Sequence, residues 1–182
     1  MINYSPLRYP GGKSALYPIV ASAIKINDLK NCIYVEPFAG GASIALSLLI
    51  DGVVDRIIIN DADKAVYSFW RSIIESPRWF IEKIENTPVT IHEWRKQKNI
   101  VSTSRKYSRE FGFAMFYLNR TNRSGILSAG PIGGYEQNGD YKIDCRFNKD
   151  TLIEKIKTIS KHRNKIKVLA RRKRGWRRVH IS

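Results

Sequence analysis

The stretch that decides the fold is IYVEPFAGGASIALSLLI, residues 33–50, followed by DRIIIND at 55–61. Residues 33–38 and 55–61 are short, apolar and rich in β-branched side chains, a pattern typical of buried strands. Between them, the AGG of 39–41 ends the first strand, and the apolar run at 42–50 predicts a compact helix. A strand, a glycine loop, a helix and a second strand in this order open a Rossmann-like α/β sheet.

Two features of this unit favour a site for a nucleoside-containing ligand. The glycine-rich turn after the first strand lets a ligand approach the backbone at the carboxyl edge of the sheet. Asp61 ends the second strand, where a carboxylate can accept hydrogen bonds from ribose hydroxyls. The turn lacks the GxGxxG spacing, so a dinucleotide is only weakly supported. Asp61 could instead cap the helix that follows.

The rest of the chain predicts mostly helices. Apolar residues recur at helical spacing in several further stretches, and one more short run is typical of a strand. The predicted helices cover residues 15–26, 64–74, 77–86, 108–120 and 149–162, and the third predicted strand covers 164–169. Residues 121–147 are rich in Gly, Asn, Arg and Tyr. A long irregular segment of this kind inside a compact domain is usually functional or disordered.

Length and composition are those of a globular protein. The 182 residues suffice for one domain with its own core, and 43% of them are hydrophobic. No apolar run reaches membrane-spanning length, and the N-terminus lacks the apolar stretch of a signal peptide, so we expect a cytoplasmic protein. Cys32 and Cys145 have neither the spacing of a metal site nor that of a disulfide framework, so we expect no metal.

The charge is strongly basic and unevenly distributed. The net charge is +16, and residues 161–182 hold ten Lys and Arg without an acid, which leaves +6 on residues 1–160. A moderately basic body is compatible with a polyanionic partner such as DNA. The last stretch, ARRKRGWRRVHIS at 170–182, is interpreted as a disordered basic extension, the product of an altered reading frame, or a phosphate-binding arm.

The N-terminal RYPGGK, residues 8–13, is superficially similar to a phosphate-binding loop. A P-loop requires a glycine five residues before its Gly-Lys-Ser, and Leu7 stands at that position. The preceding residues are also too polar to form a buried strand. The alternative is a plain turn in which Ser14 caps the helix that follows.

Four motifs in a fixed order carry a resemblance to a known family. They are RYPGGK at 8–13, VEPFAGGAS at 35–43, IINDAD at 58–63 and FYLNRTNRSGIL at 116–127. Together they resemble the Dam-type (D12 class) DNA adenine-N6 methyltransferases, which use S-adenosylmethionine to methylate adenine in double-stranded DNA. The resemblance implies an α/β fold with a Rossmann-like S-adenosylmethionine-dependent methyltransferase sheet and a helical DNA-recognition insert.

The resemblance also implies a division of the chain. The expected parts are the N-terminal part of the cofactor-binding α/β domain at 1–63, a helical target-recognition region at 64–150, a return to the α/β domain at 151–169, and the basic tail at 170–182.

The cofactor residues implied by the resemblance come from three of the motifs. They are Tyr9, Lys13, Glu36, Pro37, Phe38, Gly40 and Asp61. A Lys point charge suits the cofactor's carboxylate, and an aromatic face suits its sulfonium or adenine. Asp61 would hold the ribose, and the motif around Glu36 would line the methionine side.

The fourth motif resembles the segment that meets DNA. The implied DNA-binding residues are Asn119, Arg120, Asn122 and Arg123, side-chain types that read base edges and contact phosphates. The alternative for the two arginines is a solvated loop face. The motif differs around Thr121 from the family members that methylate GATC, so the target sequence stays open.

The family's Asp-Pro-Pro-Tyr motif, which holds the flipped adenine, is absent. No two prolines are adjacent in this sequence. We therefore expect a truncated form with impaired catalysis, whose first strand has an unpaired edge and which pairs with a complementing fragment or is marginally stable. The alternatives are a non-catalytic DNA-binding protein and a nicotinamide-dependent oxidoreductase, the latter disfavoured by the missing GxGxxG.

Overall fold

The computed structural model describes residues 3–9 and 13–170. Within these residues it is a mixed α/β structure with one three-stranded parallel sheet and seven α-helices. The elements are α1 (Tyr17–Ile26), β1 (Ile33–Glu36), α2 (Ser43–Ile50), β2 (Arg56–Asn60), α3 (Lys64–Glu75), α4 (Pro77–Asn86), α5 (Ile91–Thr103), α6 (Arg109–Thr121), α7 (Lys149–Lys161) and β3 (Ile166–Leu169). No helix in the described ranges has the length and apolar character that crossing a bilayer requires. Most of the predicted tail, and the glycines of RYPGGK, lie outside the described residues.

The strand–loop–helix–strand unit predicted for residues 33–61 is confirmed. β1 and β2 pair in parallel, which requires a crossover connection, and α2 supplies it. β1 ends at Glu36 rather than Phe38, because Pro37 has no N–H with which to continue the ladder. The order is β1–β2–β3, so β2 is central and β1 is paired on one side only within the described chain.

Helix capping decides two alternatives that the sequence leaves open. Asp63, not Asp61, caps α3, since its side chain accepts a hydrogen bond from the Ala65 N–H. The alternative in which Ser14 caps the first helix is wrong. Lys13–Leu16 form a 3₁₀ turn, and Leu16 precedes α1 without any side-chain cap.

An aromatic cluster fills the core between the helices. Phe69 on α3 stacks on Phe116 of α6 with ring centroids 5.8 Å apart, and Phe80 of α4 packs edge-on against both rings. Helix α5 was not predicted, because only a few apolar residues interrupt its polar sequence. Of its residues, only Trp94 and Gln97 are buried.

Helices α3 and α6 cross at very short range, and Gly112 makes this possible. A Cβ built on Gly112 would lie 2.4 Å from the backbone oxygen of Ser68 and 2.4 Å from the Ser72 hydroxyl oxygen. Main chain cannot withdraw from such a contact without moving a helix. The close crossing therefore depends on the missing side chain.

We expect Gly112→Ala to destabilise the protein. In an unhindered helix this change stabilises by roughly 0.5–1 kcal/mol, but here the clash should lower the free energy of unfolding by about 2 kcal/mol or more. Urea denaturation followed by circular dichroism measures it. The matched control is Gly130→Ala, whose new Cβ would meet only the far end of the Arg123 side chain at 3.3 Å. Equal stability of the two variants would contradict the close crossing.

Candidate functional site

A cavity of about 250 Å³ lies at the carboxyl end of β1. Its walls come from the N-terminal segment, the end of β1 and the glycine loop that leads into α2. Of the seven cofactor residues implied by the sequence, four line it: Tyr9, Lys13, Glu36 and Phe38. Polar residues that sequence reasoning missed also line it, namely Asn3, Ser5, Ser14 and Ser43. Asn3, Ser5 and Ser14 lie near the first motif and Ser43 ends the second, but no pattern distinguishes them from other small polar residues.

Glu36 is a buried carboxylate in the wall of this cavity. Only 3% of its surface is exposed. Its Oε2 accepts a hydrogen bond from the Ala45 N–H in the first turn of α2, at 3.1 Å. Burial raises the pKa of Glu36, although the Ala45 hydrogen bond and the charge of Lys13 act in the opposite direction. The carboxylate is therefore short of positive partners and favours a cationic ligand.

Lys13 lies next to this carboxylate at the opening of the cavity. Its Nζ is 3.8 Å from Glu36 Oε1 and donates a hydrogen bond to the Phe38 carbonyl at 3.1 Å. About half of the side chain is exposed. A carboxylate and an ammonium so close together offer complementary partners to a ligand that carries an ammonium and a carboxylate on one carbon, as an α-amino acid does.

Tyr9 packs directly on the backbone of the glycine loop. Gly40 has a φ of +47°, and a Cβ built on it would lie 2.8 Å from the Tyr9 ring. Glycine is therefore required twice here, for its conformation and for its missing side chain. Burial raises the pKa of Tyr9, with further contributions from Asp61 and Asp63. Tyr9 thus connects the cavity with the acids that follow β2.

Asp61 joins the loops that follow β1 and β2. Its Oδ2 accepts from the Gly40 N–H and its Oδ1 accepts from the Asp63 N–H, both at 2.9 Å. Pro37 also supports the loop, since its carbonyl accepts from the Asn60 side chain at 2.8 Å. Pro37, Gly40 and Asp61 are not among the residues that line the cavity. The structure places them behind or beside its wall.

The two asparagines of the predicted DNA segment lie inside the protein. Asn119 is 2% exposed, and Asn122 is fully buried. The Asn122 Oδ1 accepts from the Trp94 indole N–H at 2.6 Å, and its Nδ2 donates to the Ile126 carbonyl at 2.8 Å. These contacts hold α5 against the loop after α6. In this conformation neither amide faces solvent.

Asn119 links the first motif to the fourth. Its Oδ1 accepts from the Arg8 N–H at 2.8 Å, and its Nδ2 donates to the Arg8 carbonyl at 2.7 Å and to the Gly125 carbonyl at 3.0 Å. We call this set of contacts the Asn119 clamp. It fixes the residue next to Tyr9 against the end of α6, so the cavity and the predicted DNA segment are adjacent.

The two arginines of the segment differ in exposure. Arg123 is exposed. Arg120 is half-buried, and its Nε donates to the Arg146 carbonyl at 2.7 Å. Burial lowers the pKa of Arg120 to about 10, with further contributions from the nearby charges of Arg8 and Arg146. Both guanidinium groups therefore keep donors for an anion.

We expect Asn122→Ala to lower the free energy of unfolding. The change leaves the buried Trp94 indole N–H without its acceptor, which should cost about 1–3 kcal/mol of unfolding free energy. Thermal and urea denaturation measure the loss. Asn86→Ala is the control, because its side chain bonds only to the exposed Glu82 carbonyl. Unchanged stability of Asn122→Ala would show that the amide is free to serve another purpose.

Among the described residues no group of three or more His, Cys, Asp or Glu side chains could hold a metal ion, and the absence of a metal stays a prediction. A comparison with curated proteins found no match. Residues 9–174, which include most of the cavity lining, Asn119 and the arginines of the fourth motif, match the model of the D12 class N6 adenine-specific DNA methyltransferase family. The chain therefore belongs to the D12 class of N6 adenine-specific DNA methyltransferases.

Proposed function

We propose that this chain binds S-adenosylmethionine in the cavity at the carboxyl end of β1 and double-stranded DNA at the surface around Arg120 and Arg123. Its proposed role is to take part in site-specific methylation of adenine at N6, as a truncated form whose own catalysis is impaired. The observation that carries the proposal is the buried carboxylate of Glu36, paired only loosely with Lys13 beside a glycine loop. Family membership supplies the reaction class.

The chemistry of the cavity fits the cofactor. The methionine end of S-adenosylmethionine carries an ammonium and a carboxylate, for which Glu36 and Lys13 are the complementary partners. The exposed aromatic faces of Tyr9 and Phe38 suit its sulfonium and adenine. When bound, the cofactor supplies an activated methyl group. The chain's own contribution is to hold and orient it.

Asp61 is proposed to act at the ribose. Each of its oxygens accepts one backbone N–H, and each keeps a lone pair for a ribose hydroxyl. It therefore has two tasks, since it also fixes the glycine loop through Gly40. Pro37 and Gly40 are proposed to shape the loop rather than to touch the ligand.

At the DNA surface, Arg120 and Arg123 are proposed to contact the DNA, whereas the two asparagines are proposed to fix the backbone of the segment that carries them. A guanidinium can bind a phosphate or a guanine edge with two hydrogen bonds. Asn119 and Asn122 form their side-chain hydrogen bonds within the protein, and these bonds fix the backbone conformation of the segment. On this view residues 64–150 form the recognition region, and residues 1–63 and 151–169 belong to the cofactor domain.

Glu36→Gln is expected to weaken S-adenosylmethionine binding at least tenfold, or about 1.4 kcal/mol, because it removes the charge opposite the ammonium. Asp61→Ala should also weaken S-adenosylmethionine binding. It should lower the melting temperature as well, because the glycine loop loses the hydrogen bond between Gly40 and Asp61. Isothermal titration measures both affinities, with Glu82→Gln on the exposed face of α4 as the control. S-adenosylhomocysteine should compete, and NAD should not.

The pH dependence gives this prediction a second readout. The pKa of Glu36 in the free protein is raised, so wild-type affinity should fall as the pH is lowered through that pKa and the carboxylate becomes protonated. Glu36→Gln should show a flatter profile. Equal affinities and parallel profiles for the two proteins would refute the role of Glu36.

Methyl transfer is proposed to need acceptor-side residues that these 182 residues lack. We expect the chain alone to transfer little or no labelled methyl group to duplex DNA, and a chain carrying Asp-Pro-Pro-Tyr to restore transfer when it is added. Full activity of the isolated chain would contradict this. Duplex binding that stays intact without any cofactor binding would favour the alternative of a non-catalytic DNA-binding protein.

A further inference from the structure

Four basic side chains from four separate segments lie together on one surface. They are Arg8 in the N-terminal segment, Arg120 at the end of α6, Arg146 in the loop before α7, and Lys155 within α7. The charges of Arg8 and Arg146 act on Arg120, and the charge of Arg120 acts on Lys155. We call these four residues the basic cluster.

The hydrogen bonds of the basic cluster go to neutral backbone oxygens. The Arg8 Nη1 donates to the Asn122 carbonyl at 3.1 Å, and the Lys155 Nζ donates to the Ser5 carbonyl at 3.0 Å. Arg120 donates to the Arg146 carbonyl at 2.7 Å. Arg8, Arg120 and Lys155 are thus held in place without neutralisation of their charge.

No carboxylate offsets this charge in the described part of the chain. None of the ion pairs formed within residues 3–9 and 13–170 includes a member of the basic cluster. Burial and the like charges lower the pKa values of Arg8, Arg120 and Lys155, although Cys145 acts in the opposite direction on the two arginines. Like charges that are partly withdrawn from water and left unpaired cost stability unless an anion joins them.

We propose that the basic cluster binds phosphodiester groups of the DNA backbone. The inference rests on the proposed function and adds three residues to it. Arg8 lies in the first motif but is not among the implied DNA-binding residues, and Arg146 and Lys155 lie in none of the four motifs. Guanidinium groups match phosphate oxygens with paired hydrogen bonds, and a lysine adds a point charge. Several such contacts would account for sequence-independent affinity and would set the register of the protein on the duplex.

The position of the cluster agrees with this role. Ser5, Leu7 and Tyr9 line the cavity. In the same segment, Arg8 belongs to the basic cluster, and the Ser5 carbonyl accepts a hydrogen bond from Lys155 of the cluster. One short segment therefore separates the cofactor cavity from the cluster. A duplex held by the cluster would lie beside the cavity, as delivery of a base to the cofactor requires.

The test uses the full 182-residue chain, so that the basic tail is the same in every variant. The variants are Arg146→Gln, Lys155→Gln and the double variant. Lys25→Gln is the control, since Lys25 is exposed near the end of α1 and forms no ion pair in the described structure. Binding of a 30-base-pair duplex is measured across a range of salt concentrations, and S-adenosylmethionine binding is measured separately.

We expect each single variant to reduce the slope of log affinity against log salt by about 0.9 and the double variant by about twice that. Affinity for the duplex should fall roughly tenfold or more in the double variant, with the same loss for unrelated sequences. The melting temperature of Arg146→Gln should stay the same or rise, because a repulsive charge has been removed. In Lys155→Gln the loss of the hydrogen bond to the Ser5 carbonyl offsets that gain. S-adenosylmethionine affinity should not change.

Three results would overturn the inference. If the double variant binds the duplex as tightly as Lys25→Gln does, the basic cluster is not a DNA site, but the proposed function is not contradicted. If only S-adenosylmethionine binding is lost, the cluster binds the carboxylate of the cofactor and not DNA. Failure of the wild-type chain to bind any duplex removes both the cluster site and the DNA part of the proposed function, while the cofactor titration still judges the cofactor part on its own.

Discussion

The arrangement of the site depends on one buried amide, the side chain of Asn119. It accepts from the Arg8 N–H and donates to the carbonyls of Arg8 and Gly125. A buried amide must satisfy both ends, and here it can do so only if the N-terminal segment meets the end of α6 and the turn that follows it. Because 111 residues separate Arg8 from Asn119 along the chain, this contact turns two sequence motifs into one site.

The same chemistry explains why the asparagines were predicted to bind DNA. An amide that can read a base edge has one donor and one acceptor group in a fixed geometry. A backbone peptide offers the same pair of groups, so Asn119 can use its amide on Arg8 and Asn122 can use its amide on Trp94 and Ile126. Sequence shows the chemical capacity of the residue but not which partner uses it.

Local patterns predicted the parts of the fold that depend on local physics. The buried strands were found from short apolar runs, and most helices from their periodicity. Helix α5 was missed because its burial comes from one indole ring and one amide rather than from an apolar stripe. The basic cluster has no sequence signature, since Arg8, Arg146 and Lys155 come together only through tertiary packing.

The N-terminal segment makes the cavity at the end of β1 and the basic cluster physically dependent on each other. Tyr9 rests on Gly40 at the cavity, and the adjacent Arg8 is held by the Asn119 clamp next to the cluster. A ligand that fixes Tyr9 therefore also fixes the backbone from which Arg8 reaches an anion. Coupling between two binding sites is reciprocal. DNA bound at the cluster would therefore stabilise the same backbone conformation of the N-terminal segment that a ligand in the cavity requires. The clamp is thus where binding at the two sites would be coupled.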